Sequence, residues 1–580
     1  MKNLNIYKRL AIFLLVVALV PTACNDEFLE VAPTGSLANA QLATKDGVEG
    51  LLIGTYSALN GVFGNRFEAP SHWVTGSITG GEANKGTDPG DYTTINPVQR
   101  YETDPTQGDL NNLWRGRYEG ISRANATLRL LSEATDISSS DASRISGEAR
   151  MLRGHFYFDL KKHFNNVPYF DESIAAADVP LVTNSADIWG NIEADLQFAF
   201  DNLPETSGQA GRVNKWAAGA YLGKAYLYQG KFSEAKAMFD NVIANGVTTN
   251  GLKFQLIDHY AQIYNAENDN HAEAVMDVES ANNTGSVQNA NAFDDLNYPY
   301  NTGSDGPGNC CGFFQPSFSM ANKFRTDANG LPLLDGSYSD PANAVKHDYG
   351  VEAADPFTPD AGNLDPRIDH SIGRRGIPYL DWIAHPGKAW IRAQPYAGPY
   401  SPKKYIYYKS QENTFTDGSS WTRGYATMNY TIIRFADVIL MAAEAEIETG
   451  GLEKAREYVN MVRARAANEA SWVKNPDGSN AANYVIGLYN DPWTDKTAAT
   501  TALRMERTLE LGGEGHRFFD LVRWGVAAQE LNEYLQYEGQ ILVTKFGGAS
   551  FTAGKNEYYP IPQTQIDIQG ADVLSQNPGY

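Results

Sequence analysis

Cysteine is nearly absent: three occur in 580 residues, at positions 24, 310 and 311, and the last two are neighbours. So few exclude a disulfide framework, and adjacent cysteines lack the spacing of a zinc site. Basic residues are also in deficit, with 47 Lys and Arg against 69 Asp and Glu and a formal net charge of −22. Such a surface repels phosphate backbones and argues against nucleic acid as a partner. Beyond the first twenty residues no apolar run is long enough to span a bilayer as a helix. Catalytic signatures are missing too: the chain has no Gly-x-Ser-x-Gly elbow, His-Glu-x-x-His pair or Walker A loop. A glycosidase needs two carboxylates across a cleft, but acidic loop residues are so numerous that they single out no pair. The chain reads as a non-enzyme.

What is present begins at the N-terminus. Lys2, Lys8 and Arg9 precede an apolar run, Leu10 to Val20, which stops at Pro21. Thr22 and Ala23 then lead to Cys24. The arrangement predicts a lipoprotein signal over 1–23, with Cys24 as the acylated first residue of the mature chain. Pro21 departs from the aliphatic residue usual there, and an ordinary signal peptide is the alternative. Aromatic residues are plentiful, 32 Tyr and 10 Trp among them. Exposed rings of this kind stack on the C–H faces of sugars.

Helical periodicity predominates and strand alternation is scarce. It predicts helices at about 41–60, 110–164, 186–243 and 432–465, with breaks at Asn165-Asn166, Pro204, Gly230 and Gly450-Gly451. In 214–243 the small residues Ala217, Ala218, Gly219 and Ala220 precede Gly230, and Phe232, Ala235 and Phe239 follow on one face. This is the logic of a tetratricopeptide hairpin. A second copy spans 432–465. The segments 61–109, 244–430 and 466–500 are rich in Gly, Asn, Asp and Pro; loops that long are usually functional. The expected fold is mainly α: one domain over 24–580, with helices behind and an irregular loop-built face in front.

Asp26-Glu-Phe-Leu-Glu30 after Cys24, Gly147 to Asp159, Arg212 to Ala217, Arg434 to Met441, Glu506 to Leu511, Gly515 to Trp524, and Tyr559 to Asp567 with Gln576 to Tyr580 follow one another along the chain. In that order and combination they resemble the SusD/RagB family of outer-membrane lipoproteins. The resemblance implies a surface-exposed lipoprotein of the outer membrane. It would capture oligosaccharides without hydrolysing them and deliver them to a SusC-like TonB-dependent transporter. RagB-type relatives imply the alternative, peptide capture for uptake. The shared charged residues, Glu148, Arg150, Arg153, Glu510, Arg517, Asp520 and Arg523, read as helix-packing networks.

Ligand contacts are expected in three loops. The first holds Trp73, Glu82, Asn84 and Tyr101, with Trp73 equally readable as core. The second, 297–314, holds Cys310, Cys311 and Phe313. The two cysteines are either buried free thiols or a vicinal disulfide, a rigid, weakly polar platform for a sugar. A fructan such as levan is the expected glycan, from a resemblance to fructan-binding members with cysteine in this loop. The third, 374–408, supplies Arg375, Trp390 and Tyr407, whereas Lys403 and Lys404 read as a solvated turn. No cofactor is expected, although Asp88-Asp91 or Asp294-Asp295 offer carboxylates suited to calcium.

Overall fold

The computed structural model describes residues 42–308, 310–419 and 421–580. The expected signal segment and Cys24 lie outside the described residues. The architecture is mainly helical, and local chemistry sets the ends of its elements. Thr44 accepts from the Gly47 N–H to start α1 (Lys45–Ser57). The long pair α2 (Gly108–Glu133) and α3 (Ser139–Phe164) follows. Ser138 caps α3, whose last turn carries Lys161, Lys162 and His163 against the negative end of its dipole. Gly120 lets the two approach closely, because a Cβ there would lie 2.4 Å from the Phe156 ring.

Then come α4 (Trp189–Asn202), α5 (Lys215–Tyr228) and α6 (Phe232–Asn245). Asn214 caps α5, and Gly230 makes the reversal before α6 with φ +70°. The second hairpin pairs α7 (Phe435–Thr449) with α8 (Leu452–Ala466), turning at Gly450 with φ +93°. Each helix from α1 to α8 packs on the next, so the two hairpins, distant in sequence, meet where α6 lies on α7. Periodicity did not single out α9 (Lys496–Leu511), α10 (Arg517–Arg523) and α11 (Ala527–Ile541). The first of these packs across both α7 and α8. Among the described residues no helix is long and apolar enough to cross a membrane.

The charged motifs are buried cross-links, distributed differently from their sequence order. Glu510 meets Arg434, Arg367 and Arg465 rather than its neighbours Arg517 and Arg523. Arg150 and Arg153 both reach Asp195 on α4, while Glu148 pairs with Arg144 and Arg212. Arg434 and Lys404 draw the Glu514 carboxyl down to about 2 against the opposing effect of burial. Lys403 and Lys404 are buried as well, donating to the Pro378 carbonyl and the Glu514 carboxylate. The expectation of a solvated turn is therefore corrected: their stems pass through the core and their ammonium groups close its polar contacts.

Candidate ligand-binding face

Two of the expected loops are joined by a short antiparallel pair. Strand β1 (Ala83–Gly86) aligns with β2 (Phe313–Pro316), placing Asn84 opposite Gln315 and Gly86 opposite Phe313. The Thr87 N–H donates to the Gly312 carbonyl at 2.6 Å, which extends the contact to the cysteine turn. Beneath it, Trp73 meets Phe313 and Phe314 edge to face at 6.2 and 5.9 Å. Its indole N–H donates to the Phe293 carbonyl.

Much of the expected contact set therefore supports the face from below. Trp73 and Phe313 are 1% and 0% exposed. Asn84 is buried; it donates to the Ala397 carbonyl and accepts from Lys545 and the Gly86 N–H. The buried Tyr101 hydroxyl donates to the Thr79 carbonyl. Glu82 is also buried, accepting from the Gly513 N–H, and burial lifts its carboxyl to about 7. Trp390 and Tyr407 form a second aromatic core with Tyr298, Tyr379 and Trp382. Tyr407 accepts from the Gly308 N–H, and Gly306 sits against the Trp390 ring, where a Cβ would come within 2.5 Å. Arg375 is partly exposed but is spent on the carbonyls of Glu352, Ala353 and Asp355. These residues share one physical reason: a loop of this length keeps its shape by burying its rings and pairing its polar groups.

What remains accessible is a smaller group. Cys310 and Cys311 are joined to each other in a vicinal disulfide, with Cys310 partly exposed and Cys311 buried. Backbone bonds fix the turn: the Cys311 N–H donates to the Leu296 carbonyl and the Gly312 N–H to that of Tyr298. Beside it, the Arg392 guanidinium lies over the Tyr300 ring, 5.3 Å from its centroid, and donates to Thr87. Arg392 also pairs with Asp88 at 2.8 Å and with Asp91. Arg423 ties down the neighbouring 303–308 turn through the carbonyls of Gly303, Gly306 and Gly308. Two positions before it, Trp421 stands 62% exposed. Sequence reading missed Trp421; a lone Trp between Ser and Thr carries no periodic signal, although it is one of only ten in the chain.

The acidic pairs considered for calcium have other partners. Asp88 and Asp91 hold Arg392, Asp295 binds Arg66 through both oxygens, and Asp294 accepts from Ser71 with its carboxyl lifted to about 6 by burial. Among the described residues, His72, Asp159 and His163 lie close enough to hold a metal. However, Asp159 already meets Arg117 and Lys162, and these cations occupy the charge a metal would use.

The SusD family profile matches residues 272–580, and a profile described as starch-binding, associating with outer membrane, matches residues 28–227. The chain belongs to the SusD family. SusD-like protein P2 of Formosa agariphila is 25% identical over 99% of this chain and 100% of its own. Starch-binding protein SusD of Bacteroides thetaiotaomicron is 24% identical, over 78% of this chain and 75% of that one. Surface glycan-binding protein A of Bacteroides thetaiotaomicron, solved in complex with laminarihexaose, aligns with a TM-score of 0.63 at 20% identity. The alignment covers 92% of this chain and 99% of that one, and it establishes a shared fold.

Proposed function

We propose that this protein captures oligosaccharides at the outer membrane, anchored through a lipid on Cys24, and passes them to a SusC-like TonB-dependent transporter without cleaving them. The observation that carries this reading is the partly exposed Cys310–Cys311 disulfide set beside Arg392 and Tyr300. A disulfide ring and an aromatic ring offer flat, weakly polar surfaces to the C–H face of a sugar. A guanidinium and the carboxylates of Asp88 and Asp91 supply donors and acceptors for its hydroxyls. Trp421 adds a freely accessible ring at the edge of the same loop cluster.

Relatives support glycan capture in kind. One is named for starch and a solved neighbour holds laminarihexaose. Within that class we propose a fructan such as levan, on the cysteines of this loop.

The test is calorimetry with fructans, β-glucans, starch oligosaccharides, mannans and peptides. Saturable binding of one glycan class, weakened in Trp421→Ala and Arg392→Gln, supports the assignment. Binding of β-glucan but no fructan overturns the choice of levan alone. Silence with every glycan and a signal with peptides moves the protein to the peptide-uptake branch.

A further inference from the structure

A cavity of about 190 Å³ opens on the helical scaffold, lined in part by Tyr228, Phe232, Glu444, Arg504, Arg523 and Trp524. None of its walls comes from the loop-rich segment 244–430, so it is separate from the glycan face. Its charges are nearly all accounted for. Arg523 is held by Glu444 and Asp520, each at 2.8 Å, and the Trp524 indole N–H donates to Glu444 at 3.0 Å. Glu448 pairs with Lys496 at 2.7 Å and Glu530 with Arg517 at 3.1 Å.

Arg504 is the exception. Its guanidinium lies over the Trp524 ring, 4.8 Å from the centroid. It makes no ion pair or hydrogen bond among the described residues, and its Nε is shielded from solvent without an acceptor. The Nε is closed to a ligand as it is to water, so an acceptor in the cavity is met by the terminal N–H groups, which are neither shielded in this way nor bonded. Burial also works against the charge on Arg504.

We propose that this cavity is a binding site for a carboxylate, gripped by the in-plane N–H groups of Arg504 with the Trp524 ring behind them. Stacking occupies the face of a guanidinium and leaves its edge, the fork that matches a carboxylate. A carboxylate supplies, with a single negative charge, the bonded acceptor that Arg504 lacks, while Glu444, Glu448 and Glu530 act on it only through space. A phosphate would bring nearly two, against the nearby Glu444 and Glu448. The cavity admits a group of side-chain size, either an acidic side chain of a partner protein or the carboxylate of a sugar acid.

The full chain labelled with 5-fluorotryptophan tests this by fluorine NMR, the Trp524 signal being assigned by its loss in Trp524→Phe. Titration with N-acetylglutamate amide and with glucuronate is expected to shift that signal saturably for at least one of them. The neutral N-acetylglutamine amide and glucose leave it in place. A response to the first probe alone assigns a polypeptide source, and a response to glucuronate alone a sugar acid. Arg504→Gln is expected to weaken binding at least about tenfold with little change in melting temperature. Arg504→Lys, which keeps the charge but loses the fork, falls between. Absence of a saturable shift with both carboxylates, or equal binding by the Gln variant, overturns the proposal.

Discussion

Arg392 lies over the Tyr300 ring while its donors are held by Asp88 and Asp91, so one side chain ties the first and second loops of the face together. All three charged partners are about one-third exposed, and ion pairs of that kind contribute little to stability. Arg392→Gln is expected to shift the melting temperature by no more than a few degrees while lowering glycan affinity about tenfold or more. Calorimetry beside thermal melting separates the two effects.

The vicinal disulfide makes a chemical prediction. In native protein truncated to begin after Cys24, alkylation under non-reducing conditions adds nothing. After reduction, intact mass rises by two alkyl groups, one each for Cys310 and Cys311. The doubly alkylated protein is expected to lose glycan affinity, because the flat platform is gone and two bulky groups stand on the turn.

Trp73 and Trp421 should behave in opposite ways. Trp73→Ala opens a cavity beneath β2 and is expected to cost about 3–5 kcal/mol, seen as a large fall in melting temperature or in soluble yield. Trp421→Ala removes a ring that is 62% exposed, leaving melting nearly unchanged while glycan affinity drops. Equal losses of stability in the two variants would contradict the burial assigned to them.

Buried carboxyls give a pH dependence with a definite sign. The unfolded chain ionises Glu82 near the ordinary glutamate value of about 4.3, whereas the folded chain holds it protonated up to about 7. Stability from this group is greatest below the lower value and falls as pH rises between the two, by a few kcal/mol in order of magnitude. Glu82→Gln removes that loss, so its melting temperature relative to the parent should rise between about pH 4 and pH 7 and level off above. Glu510 and Glu514 act at the other end. Arg465, Arg434 and Arg367 hold the first carboxyl low, and Arg434 and Lys404 the second, so both lose their contribution as pH falls below the ordinary glutamate range.

The helical scaffold was legible because its signals are local. Apolar spacing placed α2 through α8 within a few residues, and Gly230 and Gly450 marked both hairpin turns. The site was less legible. Trp390 and Tyr407 look like binding residues in sequence because a loop rich in rings and glycine has no period to say which way each ring points. In the fold, Gly306 and Gly308 lay the 301–308 turn directly on them, and they become core.

Composition, periodicity and motif order by themselves determined the helical class, the lack of a catalytic signature and the resemblance to SusD/RagB proteins. Each of these depends on residues near one another in the chain or on their count. Only the tertiary structure decided that Trp73 is buried and Trp421 is not, that Arg392 rather than Arg375 reaches the face, and that Glu510 meets Arg367 rather than Arg517. Those outcomes depend on which distant segments pack together, and burial, unlike periodicity, is a property of the neighbours a side chain acquires on folding.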